Sequence, residues 1–455
     1  MKRHSFAALL RGRGRRYGSA AVIGGVALAV ATASLGSASL SSAAAASNQT
    51  SGPGADWNRG SVVVSQKVAD FSLAQARRYL HSRGFGSPAA RHAVVIYRIV
   101  YRTVSAQGKP DIASGVLALP AGSQRDLQVV EYGHGTMVAK ADAPSVSAGD
   151  RGEVTMFAGA GYAAVEPDYL GLGLGPGPQP YLDPAAETSA SIDMLRAANV
   201  VAAREHRRLS PSVLVTGFSE GGQSAMAVGR ALQQGAARPL RLAAVAPISG
   251  PYDLLGAQLP AALDPTGPLD PKFAAFYLAY WVVATNHFHR LYASPQRVFR
   301  APYDKTVPNL DNGWHSDEQV LAGLPATPQQ LFTTAFLRRL AHPTGEILRL
   351  ARADDTTCTS WAPRAPVRLY AAHGDEQVYY LNSVDCQRAL SAHGRQVPLI
   401  DLGDLGHFAS GHAGLPRALA WFEQLRPPAP QHSLTGRRAR LLAYSTGHAC
   451  WNPRI

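Results

Sequence analysis

One serine of the chain lies in a pattern that is typical of a catalytic nucleophile. Residues 217–221 read GFSEG, after the apolar, β-branched run PSVLVT and before the helix-like sequence GQSAMAVGRALQQGA. A strand, G-x-S-x-G and a helix in succession form a sharp turn that lifts the serine oxygen clear of a sheet. The glycines let the two elements approach closely, and the helix N-terminus brings N–H donors near a developing anion. We therefore predict that Ser219 is a nucleophile, with an ordinary loop serine as the alternative.

A serine hydroxyl is a weak nucleophile, so it needs a base, and the base needs a group that orients it. For this type of turn, the acid and then the histidine follow the serine along the chain. Asp375 lies just after a strand, near the end of the segment VRLYAAHGDE. His407 lies near the end of the next such segment, QVPLIDLGDLGHF. We predict that Asp375 is the orienting acid and His407 the base. The rivals that remain open are Asp385, Asp401 and Asp404 for the acid, and His373 and His412 for the base.

Acyl transfer also requires N–H donors for the oxyanion that forms during attack. The backbone amide of Glu220, directly after the serine, is one predicted donor. Gly135 or Thr136, in the segment EYGHGTM, is the predicted source of the second. His134 would shape that turn, although a tight turn with no catalytic part is the alternative. His134 and Tyr169 are also the candidate substrate-binding residues.

The elements that must position these residues follow an α/β pattern. HAVVIYRIVYRTVSA and IASGVLALPA are typical of an antiparallel pair, and six short apolar segments follow, with helical stretches such as ETSASIDMLRAANVVAAREH between several of them. Such alternation predicts a mainly parallel sheet with helices on both faces. Reactive groups collect at the carboxyl ends of such strands. The residues at those ends are His134, Asp168, Ser219, Asp375 and His407.

The spacing of the segments also predicts the domain organisation. Residues 47–90 form a leader that is polar at first and then helix-like. Residues 252–362 are too long for a direct crossover, so we predict an inserted cap within a core of residues 47–251 and 363–425. The cap segment FAAFYLAYWVVATNHFHRLY predicts a buried helix and is a candidate apolar wall for the substrate. We assign no role to the tail, 426–455, or to the glycine-rich loop GLGLGPGPQP, which lacks the features of a phosphate cradle.

The N-terminus has the order of a secretory signal peptide. A basic segment, MKRHSFAALLRGRGRR, precedes the apolar run AAVIGGVALAVATASL and the small residues of SSAAAASNQT. We predict cleavage near Ala46 and export from the cytoplasm, to the periplasm or the medium. A permanent membrane anchor is the alternative, and both the Sec and the twin-arginine routes remain open.

Composition and charge exclude some classes of protein. With 46% hydrophobic and 16% charged residues, the chain is globular and not disordered. Removal of residues 1–46 takes away six basic residues and no acidic one, which lowers the net charge from +13 to +7. The remaining basic residues are dispersed and match no nucleic-acid-binding module, so we expect no nucleic-acid partner.

Three cysteines remain in an exported chain, where disulfides form. Cys358 and Cys386 flank one predicted strand and are the preferred pair, which would leave Cys450 free. Their spacing fits no zinc site, so we expect no structural metal.

Together these motifs resemble a known family. Residues 90–425 resemble the α/β-hydrolase fold, and within it the secretory lipases and secreted bacterial esterases. The resemblance rests on HGT at 134–136, DYLGLG at 168–173, GFSEGGQ at 217–223, HGDEQV at 373–378 and GH at 406–407. It implies a triad of Ser219, Asp375 and His407. Two positions depart from the family: Tyr379 stands where proline is common, and HGT stands where many lipases have HGGG.

These observations predict a secreted serine ester hydrolase, a lipase or carboxylesterase that forms an acyl-enzyme on esters with a hydrophobic part. It would need no metal or organic cofactor, and contact with a lipid surface or a cell wall is a further expectation. The alternatives are a secreted serine peptidase or acyltransferase and a non-catalytic protein that binds cell-wall polysaccharide. The sequence does not set the oligomeric state.

Overall fold

The computed structural model describes residues 58–86, 90–392, 394 and 396–426. The predicted signal peptide at residues 1–46 lies outside the described residues. So does the tail from residue 427 onward, which includes Cys450.

A nine-stranded sheet carries the fold. Its spatial order is β1-β2-β3-β5-β4-β6-β7-β8-β9. The pairs β1–β2, β2–β3 and β3–β5 are antiparallel, and every pairing from β5 through to β9 is parallel. The strands are β1 Val62–Phe71, β2 Val94–Val104, β3 Pro110–Pro120, β4 Asp126–Gly133, β5 Ala163–Pro167, β6 Arg208–Phe218, β7 Arg241–Ile248, β8 Leu369–Ala371 and β9 Leu399–Asp401. The sheet is therefore mainly parallel after an antiparallel start, as predicted.

Helices cover both faces of this sheet. Those of the described residues are α1 Leu73–Ser82, α2 Gly152–Gly159, α3 Pro184–Arg204, α4 Glu220–Gln233, α5 Leu259–Leu263, α6 Pro271–His289, α7 Tyr303–Leu310, α8 Asp317–Gly323, α9 Pro328–Leu331, α10 Thr334–Ala341, α11 Gly345–Thr359, α12 Leu381–Ser391 and α13 His407–Gln424. Shorter helical turns lie at Lys140–Asp142, Leu254–Gln258 and Pro295–Arg297.

The core shows why the central strands are mainly apolar. Along β6, Val213 and Val215 pack in the cluster that contains α3 and α4, whereas Leu214 packs in the cluster that contains α1, α2 and α13. Successive side chains of a strand point to opposite faces, so a strand covered on both faces is apolar on both of them. The prediction of an α/β sheet with helices on both faces is confirmed.

The leader of the chain contains a strand that the sequence analysis did not predict. Residues 62–71 form β1, which pairs with β2 at the edge of the sheet. An edge strand is covered less completely than a central one, and most β1 side chains are partly or fully exposed. Its sequence, VVVSQKVADF, therefore lacks the continuous apolar run by which the buried strands were recognised.

The chain between β7 and β8 is helical. Within residues 249–368, all of which the structure describes, no strand joins the sheet, and helices α5 to α11 surround a third apolar cluster. The aromatic segment predicted to be a buried helix forms α6, in which residues 274–276 and 278–285 are buried. The division into a core and a cap at residues 252–362 stays a prediction. Among the described helices, none is both long and apolar enough to cross a bilayer.

A disulfide joins the end of this helical segment to the sheet region. Cys358 on α11 is bonded to Cys386 on α12, with 5.2 Å between the two Cα atoms. Both side chains are buried in the cluster that contains α3 and α4.

Candidate active site

Ser219 lies alone between the end of β6 and the start of α4. Its backbone has φ 59° and ψ −123°, a conformation that is strained for any residue other than glycine. The flanking glycines explain how the turn fits. A Cβ on Gly217 would lie 2.0 Å from the carbonyl oxygen of Gly221, and a Cβ on Gly221 would lie 1.9 Å from that of Gly133. No larger residue can occupy either position without moving the backbone, so strand and helix approach closely enough to raise the serine.

The structure brings the serine, a histidine and a carboxylate into one hydrogen-bonded chain. Nε2 of His407 lies 2.9 Å from Oγ of Ser219, and Nδ1 of His407 lies 2.8 Å from Oδ2 of Asp375. All three are buried, with exposed fractions of 5% for Ser219, 1% for His407 and 5% for Asp375. These are the distances that proton transfer from a serine to an oriented imidazole requires.

Backbone donors fix the carboxylate of Asp375. Its Oδ1 accepts hydrogen bonds of 2.9 Å from the N–H groups of Gln377 and Val378, in the turn that follows β8. Since Oδ1 is occupied in this way, Oδ2 is the oxygen that faces His407. His407 is the first residue of α13, and its ring lies 4.7 Å from the ring of Phe218, centroid to centroid.

The rival acids and histidines lie elsewhere. His373 and Asp401 form their own pair at 2.8 Å, but about half of each side chain is exposed. Asp404 is exposed, Asp385 pairs with an arginine one turn along α12, and His412 packs against a phenylalanine ring. None of these five has a hydrogen bond to Ser219 or His407 among those of the described residues.

The predicted oxyanion residues surround the serine. A Cβ on Gly135 would lie 3.5 Å from the Cβ of Ser219, so this turn passes directly beside the nucleophile. Glu220 is the first residue of α4, and such an N–H has no acceptor four residues earlier within its helix. Thr136 Oγ1 lies 2.9 Å from the hydroxyl of Tyr181, which holds the side chain of the turn. Which N–H groups bind the oxyanion stays a prediction.

His134 and Tyr169, the candidate substrate-binding residues, form a buried pair beside the turn at Gly135, and their contact with substrate stays a prediction. Both are buried, their ring centroids are 4.3 Å apart, and the Tyr169 hydroxyl donates to the carbonyl of His134 at 3.3 Å. Neither lines the cavity beside Ser219. Burial lowers the pKa of His134, which keeps its ring neutral. The two rings pack against each other next to the turn at Gly135. In this position they are not among the residues that line the cavity beside Ser219.

A cavity of about 620 Å³, open mouth included, adjoins Ser219. Ser219 and Glu220 lie at its wall, and most of the remaining lining is apolar. Helix α6 provides one side with residues at helical spacing, among them Tyr277 and Trp281. The segment of α6 was a predicted apolar wall. Tyr181 and Gln377 were not predicted as lining residues, because neither loop carries a pattern that indicates a cavity.

Hydrogen bonds link the Glu220 side chain, through Gln179, to Tyr280 on α6 and to the backbone that follows the HGT turn. Its Oε1 accepts a hydrogen bond of 2.8 Å from Gln179, whose Oε1 accepts one of 2.5 Å from the hydroxyl of Tyr280 on α6. That hydroxyl also lies 3.2 Å from the carbonyl oxygen of Met137, just after the HGT turn. Burial raises the pKa of Glu220 to about 8, against hydrogen bonds that favour the charged form. At neutral pH the carboxyl is therefore uncharged beside the nucleophile.

The pKa of Glu220 leads to a prediction about alkaline pH. Above about pH 8 the carboxyl ionises, and its charge lies next to the position where an oxyanion would form. We expect kcat to fall by about tenfold as the pH rises from 7 to 9.5, because like charges in a buried site repel. Glu220→Gln should retain its neutral-pH kcat across this range. The neighbouring ionisable groups are Glu187, Tyr181 and Tyr280, whose pKa values burial raises further, so they stay protonated longer.

Glu131→Gln is the matched control for this experiment. Burial also raises the pKa of Glu131 to about 8, but its interactions are with Ser191 on α3 and not with the nucleophile. Both carboxyls have a folded-state pKa above the ordinary 4.5, so each favours the folded state less as the pH rises from about 4.5 to about 8. If loss of stability caused the alkaline decline, Glu131→Gln would reduce it about as much as Glu220→Gln does. That result would contradict the assignment to Glu220.

The described residues contain no group of three or more histidine, cysteine, aspartate or glutamate side chains that could hold a metal ion.

The fold and the site together define a class of protein: the chain has the α/β-hydrolase fold. The esterase LipA from Xanthomonas oryzae, described as degrading rice cell walls, is 29% identical over 80% of this chain and 98% of its own, with a TM-score of 0.72. A Legionella pneumophila protein that is provisionally named a hydrolase is 26% identical over 82% of this chain and 99% of its own, with a TM-score of 0.74. Candida antarctica lipase A, at 17% identity and a TM-score of 0.62 over 82% of this chain and 84% of its own, shares the fold alone.

No family model matches the sequence, and no curated protein sequence matches it. The structural relatives are lipases, esterases and a hydrolase, as the resemblance of the motifs predicted. Those above 25% identity, an esterase and a hydrolase, support a hydrolase of the esterase type.

Proposed function

We propose that this protein is a serine carboxylic ester hydrolase, and that Ser219, His407 and Asp375 are its catalytic residues. The observation that carries this proposal is the continuous chain of hydrogen bonds from Asp375 through His407 to Ser219, at the wall of an apolar cavity. The strained conformation of Ser219 adds to it, because strain of this kind is concentrated at functional sites.

In the proposed mechanism, Nε2 of His407 takes the proton of the Ser219 hydroxyl while Oγ bonds to the ester carbonyl carbon. The N–H of Glu220 and an N–H of the turn at Gly135 or Thr136 stabilise the negative oxygen. The protonated imidazole then gives its proton to the leaving alcohol, and the ester C–O bond breaks to leave an acyl-enzyme. Water attacks the acyl-enzyme by the same steps, which releases the acid and restores the hydroxyl. Asp375 keeps the Nδ1–H of His407 directed at itself throughout.

The cavity supports an ester with a hydrophobic acyl or alcohol part. Its walls are leucine, alanine, valine and aromatic side chains, and its one carboxyl, that of Glu220, is neutral at neutral pH. Burial of each CH₂ group of a substrate against such walls contributes roughly 0.8 kcal/mol at most. The description of LipA as an esterase supports an ester as the substrate.

Export is a further part of the proposal. The order of basic, apolar and small residues in 1–46 supports a signal peptide, and the Cys358–Cys386 disulfide suits an oxidising compartment. Contact with a lipid surface or a cell wall would fit the exposed apolar side chains of Trp314 and Phe408, the latter directly after His407.

A labelling experiment with a chemical readout tests the proposal. A fluorophosphonate should label the purified protein at one residue, and peptide mapping should identify it as Ser219. Ser224→Ala is the matched control, because Ser224 is a buried serine in the first turns of the same helix. We expect Ser224→Ala to be labelled like the wild type and Ser219→Ala not at all. The absence of labelling in the wild type would instead favour a non-catalytic binding protein.

Substrate assays separate the remaining alternatives. The protein should hydrolyse p-nitrophenyl esters and leave unstructured peptides and p-nitroanilides of amino acids intact. Cleavage of the peptides at a comparable rate would indicate a peptidase. If added alcohols raise the yield of new ester far above that of free acid, the protein is an acyltransferase.

A further inference from the structure

A second cavity lies beside the first. It has a volume of about 880 Å³ with its open mouth, and it extends between the start of α3 and the helices α6 and α11. The two cavities share three lining residues, Tyr181, Leu182 and Trp281. These three residues therefore border both cavities, and we refer to them as the partition.

Trp281 is the largest member of this partition. On α6, Tyr277 lines the first cavity, Trp281 lines both, and Phe288 lines the second, so the helix runs past the partition from one cavity to the other. Trp281 has an exposed fraction of 5%. Its neighbour in the partition, Tyr181, is fixed by a hydrogen bond to Thr136 and by stacking on the ring of Tyr280, with centroids 4.5 Å apart.

The walls on the two sides of the partition differ in charge. The first cavity is lined by apolar groups apart from its end at Ser219 and the glutamine side chains. The second contains Asp183, Arg230, His289 and Arg349 together with Phe288. An apolar chain that reached the second cavity would gain free energy only against its apolar lining, such as Phe288, and not against these charged groups. The partition thus coincides with the boundary between apolar and charged surroundings.

We propose that Trp281 is a specificity-determining residue, which ends the substrate cavity and limits the length of the hydrophobic chain that an ester can place in it. The inference rests on the proposed ester hydrolase function and goes further, because it assigns the length limit to one side chain. Removal of the indole would join the two cavities. The additional methylene groups of a longer chain would then pass through the space that the indole had occupied, beside Tyr181 and Leu182, toward Phe288.

The test is a chain-length profile of kcat/KM, with p-nitrophenyl esters from acetate to palmitate below their micellar concentrations and with acetates of alcohols of increasing length. In the wild type, kcat/KM should rise by up to about fourfold per methylene and then fall at a limiting length. In Trp281→Ala we expect this limit to move by at least about two carbons in one of the two series. Trp281→Leu, which retains an apolar side chain of intermediate size, should shift the limit by less.

Phe288→Ala is the matched control, since Phe288 lines only the second cavity. We expect its profile to equal that of the wild type. The double variant Trp281→Ala/Phe288→Ala should accept chains at least as long as Trp281→Ala does. If Trp281→Ala and Trp281→Leu hydrolyse short esters with the wild-type length limit, the inference is wrong although the proposed function stands. If the wild type hydrolyses no ester of either series, the proposed function itself fails.

Discussion

Replacement of Ser219 by alanine is expected to lower kcat for ester hydrolysis by about 10⁶, and replacement of His407 by alanine should lower it by a similar factor. The reason is that the two side chains act as one unit. Without the imidazole 2.9 Å away, the hydroxyl keeps its proton, and without the hydroxyl the imidazole has nothing to activate but water. The measurement is kcat with a p-nitrophenyl ester, with the circular dichroism spectrum of each variant to show that it is folded.

The double variant Ser219→Ala/His407→Ala gives this prediction its control. Since the single changes remove the same step, the double variant should be about as slow as either single one. The residual rate would come from the oxyanion donors and from binding. A double variant that is slower by the product of the two single effects would show that the residues act independently, contrary to the proposed mechanism.

Asp375→Asn is expected to lower kcat by about 10⁴ while the fold is retained. The structure gives the reason, because Oδ1 of Asp375 accepts from two backbone N–H groups. An asparagine must place its carbonyl oxygen there, so its NH₂ group faces His407. Nδ1 then has to accept a hydrogen bond, the imidazole proton moves to Nε2, and Nε2 can no longer take a proton from Ser219. The variant would lose activity because the His407 imidazole has the wrong tautomer, and not because the packing has changed.

The pair His373–Asp401 offers a matched control for this substitution. The atoms joined are again Nδ1 and an aspartate Oδ2 at 2.8 Å, but the pair is half-exposed and lies apart from Ser219. Asp401→Asn should change kcat by less than about fivefold, as expected for an exposed ion pair. If Asp401→Asn lowered kcat as much as Asp375→Asn does, the result would contradict the assignment of Asp375 as the orienting acid.

The sequence predicted the elements for which a local pattern of residues is compatible with only one structure. The buried strands are apolar on both faces, and Ser219, Asp375 and His407 follow three of them, so sheet order alone brings these residues to one edge. Strand β1 was not predicted, because an exposed strand at the edge of a sheet needs no continuous apolar run. Tyr181 and Gln377 were not predicted either, because a place in a cavity wall depends on how distant loops pack, which no short sequence pattern records.

Tyr169 shows a different limit of sequence motifs. It lies in DYLGLG, one of the motifs that carry the resemblance to the secretory lipases, and its contact with substrate stays a prediction. The structure gives it a positive φ of 66° and a buried ring against His134. A residue within such a motif can therefore serve the shape of a turn rather than the chemistry beside it.

The hydrogen bonds from Tyr280 have a consequence for how binding and rate are related. One helix, α6, lines the cavity and also carries Tyr280, whose hydroxyl donates to the carbonyl of Met137 and to Gln179, which in turn donates to the Glu220 carboxyl. We expect a substrate chain that fills the cavity to shift α6, and these hydrogen bonds to carry the shift to the segment that follows Gly135. Good and poor substrates would then differ in turnover as well as in affinity, because the same helix contacts the substrate chain and is hydrogen-bonded to groups beside Ser219.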